Sequence, residues 1–183
     1  MKAEFLKTED LVLVVVDPQE RLMAAIHEAQ RVEKNISLLI RLAQNLEIPI
    51  IPTTQYVKGL GPYVPDLGNL LGGTKYYDKV EFNALDNPEI RSALADLGRK
   101  ELLLCGVETH ICVYQTALGA LKEGYSPRVV ADATSSRRPE NMAYGLEYLR
   151  QLAVAVVSTE MVIYELLRKA GTPAFKAMLP YLK

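Results

Sequence analysis

Short apolar runs alternate with helically spaced apolar residues along almost the whole chain. The clearest run is Leu11 to Val16, LVLVVV, whose β-branched residues suit a central strand buried on both faces. It stops at Asp17-Pro18, since proline has no N–H to give to a ladder, and this leaves Asp17 at the strand's carboxyl end. Ile48–Ile51, Tyr76–Val80, Leu102–Cys105, Arg128–Ala131 and Ala153–Val157 read as five further strands. Helical spacing lies between them: Val32, Ile36, Leu39, Ile40, Ala43 and Leu46 form one face, and Ile90, Leu94 and Leu97 another, with Pro88 as a start and Gly98 as a stop. Pro139–Gln151 and the stretch after Thr159, taken as its N-cap, read as helices, and Ala174–Leu182 as a short final one. Six strands alternating with helices predict an α/β fold with a parallel sheet covered on both faces. At 183 residues the chain suits one domain, 1–183.

Ligands of such sheets bind beyond the carboxyl ends of the strands. The stretch ELLLCGVETHICVYQTALGA, Glu101 to Ala120, puts a cysteine there. Gly106 is expected to stop the strand, and Ile111, Tyr114 and Leu118 set a helical period that places Cys112 in a first helical turn. Unpaired N–H groups and the positive end of the macrodipole gather there, so a lowered thiol pKa is expected. Asp17 and Lys79 are also at predicted strand ends. Of the two histidines, His110 is two residues from Cys112 on a helix start and points elsewhere, so it is a poor base, and His27 lies in an early polar region. Thr53–Thr74, rich in Gly and Pro, has no clear periodicity and is expected to be a long functional loop.

A net charge of −1 without a Lys/Arg cluster argues against nucleic acid as a partner. Two cysteines, Cys105 and Cys112, are too few for a disulfide framework and point to a reducing, cytoplasmic setting. The first ten residues lack the apolar stretch of a signal peptide, and no run reaches transmembrane length, so no membrane partner is expected.

DPQ after the first run, DKVEFNAL, GVETHICVYQTALGALKEGY and VVADATSSR together resemble the isochorismatase-like cysteine hydrolase superfamily, in order and over almost the whole chain. TTQYVKGLG and TPAFKAMLPYL further resemble its branch of isochorismatase domain-containing proteins. The resemblance implies a three-layer α/β/α sandwich on a six-stranded parallel sheet. It implies a catalytic triad of Asp17, Lys79 and Cys112, a cis peptide at Val107-Glu108, and an oxyanion hole at Glu108 and Cys112. Gln19 and Phe82 are carried over as substrate-binding residues. The activity it implies is hydrolysis of a small-molecule C–N (amide) bond through a thioester, without a cofactor. Nicotinamidases of the superfamily hold a metal with an Asp-x-His and further histidines, whereas this chain has Thr53-Thr54-Gln55-Tyr56, so no metal is expected. True isochorismatases lack the cysteine.

The resemblance also implies a homo-oligomer, with the tyrosine-containing loop Tyr56–Leu71 as the surface a partner would cover. Two other readings compete: a vestigial site on a binding or assembly protein, and a redox thiol protein using Cys112 with Cys105 as resolver.

Overall fold

A computed structural model describes residues 5–182. The first four residues of the expected domain, and residue 183, lie outside them. Six parallel strands form one sheet: β1 (Leu11–Val16), β2 (Ile50–Gln55), β3 (Tyr77–Lys79), β4 (Glu101–Val107), β5 (Ser126–Ser135) and β6 (Ala155–Val157). Their order is β3-β2-β1-β4-β5-β6, so strand order reverses at β1. All six residues of β1 are buried, as its uninterrupted apolar run requires of the strand at the centre.

Helices cover both faces. On one face α2 (Ala29–Asn45) and α8 (Thr159–Leu167) bury Ile36, Leu39, Val162 and Ile163 with Leu13 and Val15 of β1. On the other, α5 (Pro88–Leu97) and α7 (Pro139–Gln151) join α6 (Tyr114–Lys122) in burying Ile90, Leu149 and Ala117 with Val12 and Val14. Alternation along β1 thus feeds two cores from one strand. The start and stop signals of α5 act as expected: Asn87 accepts from Glu89 and Ile90 N–H, Pro88 opens the helix, and Gly98 closes it at φ 65°.

Several boundaries differ from the sequence reading. Gly106 does not end β4 but lies within it at φ 112°, where a Cβ would fall 2.0 Å from the Val16 carbonyl oxygen. The pairing of β4 with β5 shifts register at this point. β5 runs on through the polar residues to Ser135, because Thr134 is buried and donates to the Gly106 carbonyl at 2.6 Å. Thr159 is the first residue of α8 and not its cap; Ser158 accepts from Met161 N–H, while both the N–H and hydroxyl of Thr159 go to Asp132.

The expected loop Thr53–Thr74 is structured. Its first residues complete β2, and α3 (Val57–Leu60) and α4 (Pro65–Leu70) follow, with α1 (Glu20–Met23) packed beside α3. Tyr63, Leu67 and Leu71 are buried in the chain's own core, so the apolar side chains read as a partner surface are already covered. Tyr56 and Val57 remain exposed.

Candidate active site

β1, β2, β3 and β4 end on the same side of the sheet, next to the reversal of strand order. Asp17 follows the last residue of β1 at φ 50° and is fully buried. Its N–H donates to the Thr53 carbonyl, and its Oδ1 accepts from Thr53 Oγ1 at 2.7 Å. Its Oδ2 accepts from Lys79 Nζ at 2.6 Å, with both side chains withdrawn from solvent. Lys79 ends β3, two strands from β1, a span of about 10 Å that suits the longest aliphatic side chain. Nζ also donates to Gln55 Oε1 at 2.7 Å, so the ammonium is held between β1 and β2.

Cys112 reaches the same place from β4. The peptide between Val107 and Glu108 is cis, and Thr109–Val113 form a π-helical turn in which Val113 N–H donates to the Glu108 carbonyl. Insertions of this kind recur at functional sites. The turn carries Cys112, 6% exposed, and α6 follows it. The thiol pKa is pushed up to about 12, first by burial and then by the charge of the Asp17 carboxylate; Lys79 acts in the opposite direction. The lowered pKa expected from a helix start is therefore corrected. Cys105 is buried within β4 and its thiol is pushed up further, by burial alone.

The structure brings together Asp17, Lys79 and Cys112. Val107 and Glu108 form the wall between β4 and the π-helical turn, and the Glu108 carboxylate accepts from Arg137 N–H at 2.8 Å and from Arg137 Nε. His110 is turned away, its Nδ1 paired with Ser136 Oγ at 2.9 Å. Thr134 spends its one hydroxyl proton on Gly106, so the Thr109 hydroxyl, 2.9 Å away, donates to Thr134. These bonds tie the π-helical turn to β5.

Phe82 is half exposed beyond β3. The Gln19 side chain is bonded within the chain: Oε1 accepts from Gln55 N–H, and Nε2 donates to the Gln55 and Gly61 carbonyls. Thr53 and Gln55 are the site residues the sequence reading passed over, although the rule that drew attention to Asp17 and Lys79, polarity at a strand's carboxyl end, also applies to them. Among the described residues no three His, Cys, Asp or Glu side chains gather as metal ligands.

Residues 12–161 match the family model described as Isochorismatase domain. The chain belongs to the isochorismatase domain family. It is 37% identical over 172 residues to Isochorismatase domain-containing protein 2 of Danio rerio, covering 93% of this chain and 86% of the relative. Among solved structures of this fold, MAR1 ribonuclease from Caenorhabditis elegans is 29% identical with a TM-score of 0.90, covering 98% of this chain and 92% of that one. The Escherichia coli YcaC gene product, described as an octameric hydrolase of unknown specificity, is 27% identical with a TM-score of 0.90, covering 100% and 95%. Membership in the isochorismatase domain family makes the protein a member of a hydrolase family on an α/β fold. No helix among the described residues is long and apolar enough to cross a membrane.

Proposed function

We propose that the protein is a cysteine-dependent hydrolase that cleaves a C–N (amide) bond of a small molecule through a thioester, with Asp17, Lys79 and Cys112 as its catalytic residues. The observation that carries this reading is the dry Asp17–Lys79 pair, with the buried Cys112 thiol placed where the charges of both act on it. A thiol that is neutral at rest needs a base at the moment of attack, and the Asp17 carboxylate is near enough for its charge to act on it.

The thiol proton passes to Asp17 as sulfur bonds to the substrate carbonyl carbon and the C=O electrons move to oxygen. The Glu108 and Cys112 N–H groups take the oxyanion. Collapse breaks the C–N bond, and Asp17 returns the proton to the departing amine. Water, giving a proton to Asp17, then cleaves the thioester and frees the acid and the thiol. Throughout, Lys79 is the cation that faces the negative charge as it moves from Asp17 to sulfur.

The Caenorhabditis elegans neighbour is named a ribonuclease, but the net charge of −1 here supplies no field for an RNA backbone. A panel of small amides, with RNA included, assayed for ammonia or amine release and for cleavage, tests the reading. Release from an amide that is lost in Cys112→Ala supports it; cleavage of RNA alone overturns it. We also propose self-association, since YcaC is octameric. Light scattering at micromolar concentration is expected to give a multiple of 20.4 kDa, and a monomeric mass would overturn that part.

A further inference from the structure

Lys79 is the cation paired with Asp17, and its effect on Cys112 depends on where Nζ is held. Asp17 takes one of its three N–H bonds and Gln55 Oε1, at 2.7 Å, takes a second. The third is left for the reacting groups. Gln55 is itself immobilised. Its Nε2 donates to the Val80 carbonyl at 2.9 Å, and its backbone N–H and carbonyl are both engaged by the buried Gln19 side chain. β2 and β3 pair with Gln55 directly opposite Lys79. The segment from Gln55 onward is fastened to both strands that supply the ion pair: Tyr56 N–H donates to the Lys79 carbonyl, and Val64 N–H to the Pro18 carbonyl.

We propose that Gln55 is a positioning residue that aims the Lys79 ammonium at Cys112, with Gln19 as the brace that holds Gln55 in place. For turnover this rests on the hydrolase reading; for thiol reactivity it stands without it. The neutrality of the amide matters as much as its reach. Asp17 and Lys79 sum to zero, and moving the thiol proton to Asp17 keeps the sum at zero, with sulfur now facing the ammonium. A carboxylate at position 55 would accept from Lys79 equally well but compete with sulfur for its charge. An apolar side chain there would leave the ammonium tethered at Asp17 alone.

Two variants separate charge from reach. Gln55→Glu keeps an acceptor and adds a negative charge; Gln55→Met keeps the length and removes the acceptor. The measurement is alkylation of Cys112 by iodoacetamide between pH 7 and pH 10, read by mass spectrometry, with buried Cys105 as the internal control. Sulfur bonds to the acetamide carbon as iodide leaves, and the thiol proton goes to Asp17 and then to solvent. In Gln55→Glu the profile should move up by about one pH unit, an order of tenfold in rate on its rising limb. Gln55→Met should slow alkylation about threefold or more, with a smaller pH displacement. Thermal melting is measured alongside, and both variants should melt as cooperatively as wild type. On an amide found by the panel, kcat should fall in both while KM moves little.

Wild-type alkylation profiles in both variants would overturn the positioning role, even if amides are turned over. Displaced profiles without turnover of any amide would uphold it while removing the hydrolase reading. A variant that fails to fold leaves the other to decide, because each alone predicts a slower Cys112.

Discussion

Cys112 carries a proton at neutral pH because burial and the Asp17 carboxylate both disfavour its thiolate. Asp17 therefore has more to do than orient a thiolate that already exists. Asp17→Asn keeps the shape, and its Oδ1 can still accept from Thr53, but the group that takes the proton is gone. On the proposed mechanism it should lower the rate on the order of 10³-fold or more, measured on an amide from the panel beside Cys112→Ala. Retention of about a tenth of wild-type rate would rule out proton transfer through Asp17. Asp17 was legible as a polar residue at the end of an apolar run, and Lys79 as one near the end of a short predicted strand. The thiol's ionisation was not. Helix-start arguments lower a thiol pKa, but the depth of the surroundings and the sign of the nearest charge come from other strands, and here they outweigh the helix.

At the level of the elements, the contact between β1 and β4 decides where the site sits. Gly106 pairs with Val16, the residue before Asp17, at the point where β4 shifts its register with β5. Any Cβ there would overlap the Val16 backbone, and the φ of 112° suits glycine alone. Gly106→Ala should cost several kcal/mol, on the order of the largest single-residue effects, read as a fall in the urea midpoint. An unfolding free energy within about 0.3 kcal/mol of wild type would show that the strands separate without penalty. From the sequence Gly106 read as a stop, since glycine is a break in an apolar run. Its role as a point of close approach depends on which strand lies beside it. The same limit applied to Thr53–Thr74: Tyr63, Leu67 and Leu71 fall four residues apart, but Gly59, Gly61, Pro62, Pro65 and Gly68 around them masked that spacing, and α4 with its flanking residues buries them in the core beside α2. Polar Thr134 and Ser135 hid the end of β5 because the residues they meet, Gly106 and Thr109 for Thr134 and Val107 for Ser135, are more than twenty residues away.

At the scale of the whole molecule, the buried titratable groups set a direction for stability against pH. Cys105, Cys112 and Tyr63 all have raised pKa values in the fold, burial being the first cause of each. Above the ordinary thiol value of 9.0, the unfolded chain releases protons that the native state keeps. The native state then binds more protons, so stability falls as pH rises. The thermal midpoint should hold steady with respect to these groups below pH 9 and decline from there toward pH 12. Cys105→Ala should make that decline shallower, and an unchanged slope would show that the buried thiol does not contribute. What the sequence determined by itself was the alternation of strand and helix, and with it the parallel sheet, two cores and the strand ends where a site belongs. Those follow from local periodicity and from the inability of Pro18 to extend a ladder. The tertiary structure alone decided that β1 lies between β2 and β4, that Lys79 reaches Asp17 across β2 with Gln55 bonded to it, and that the Gln19 side chain bonds to Gln55 and Gly61. Each of these depends on strand order and register, which bring together residues dozens of positions apart.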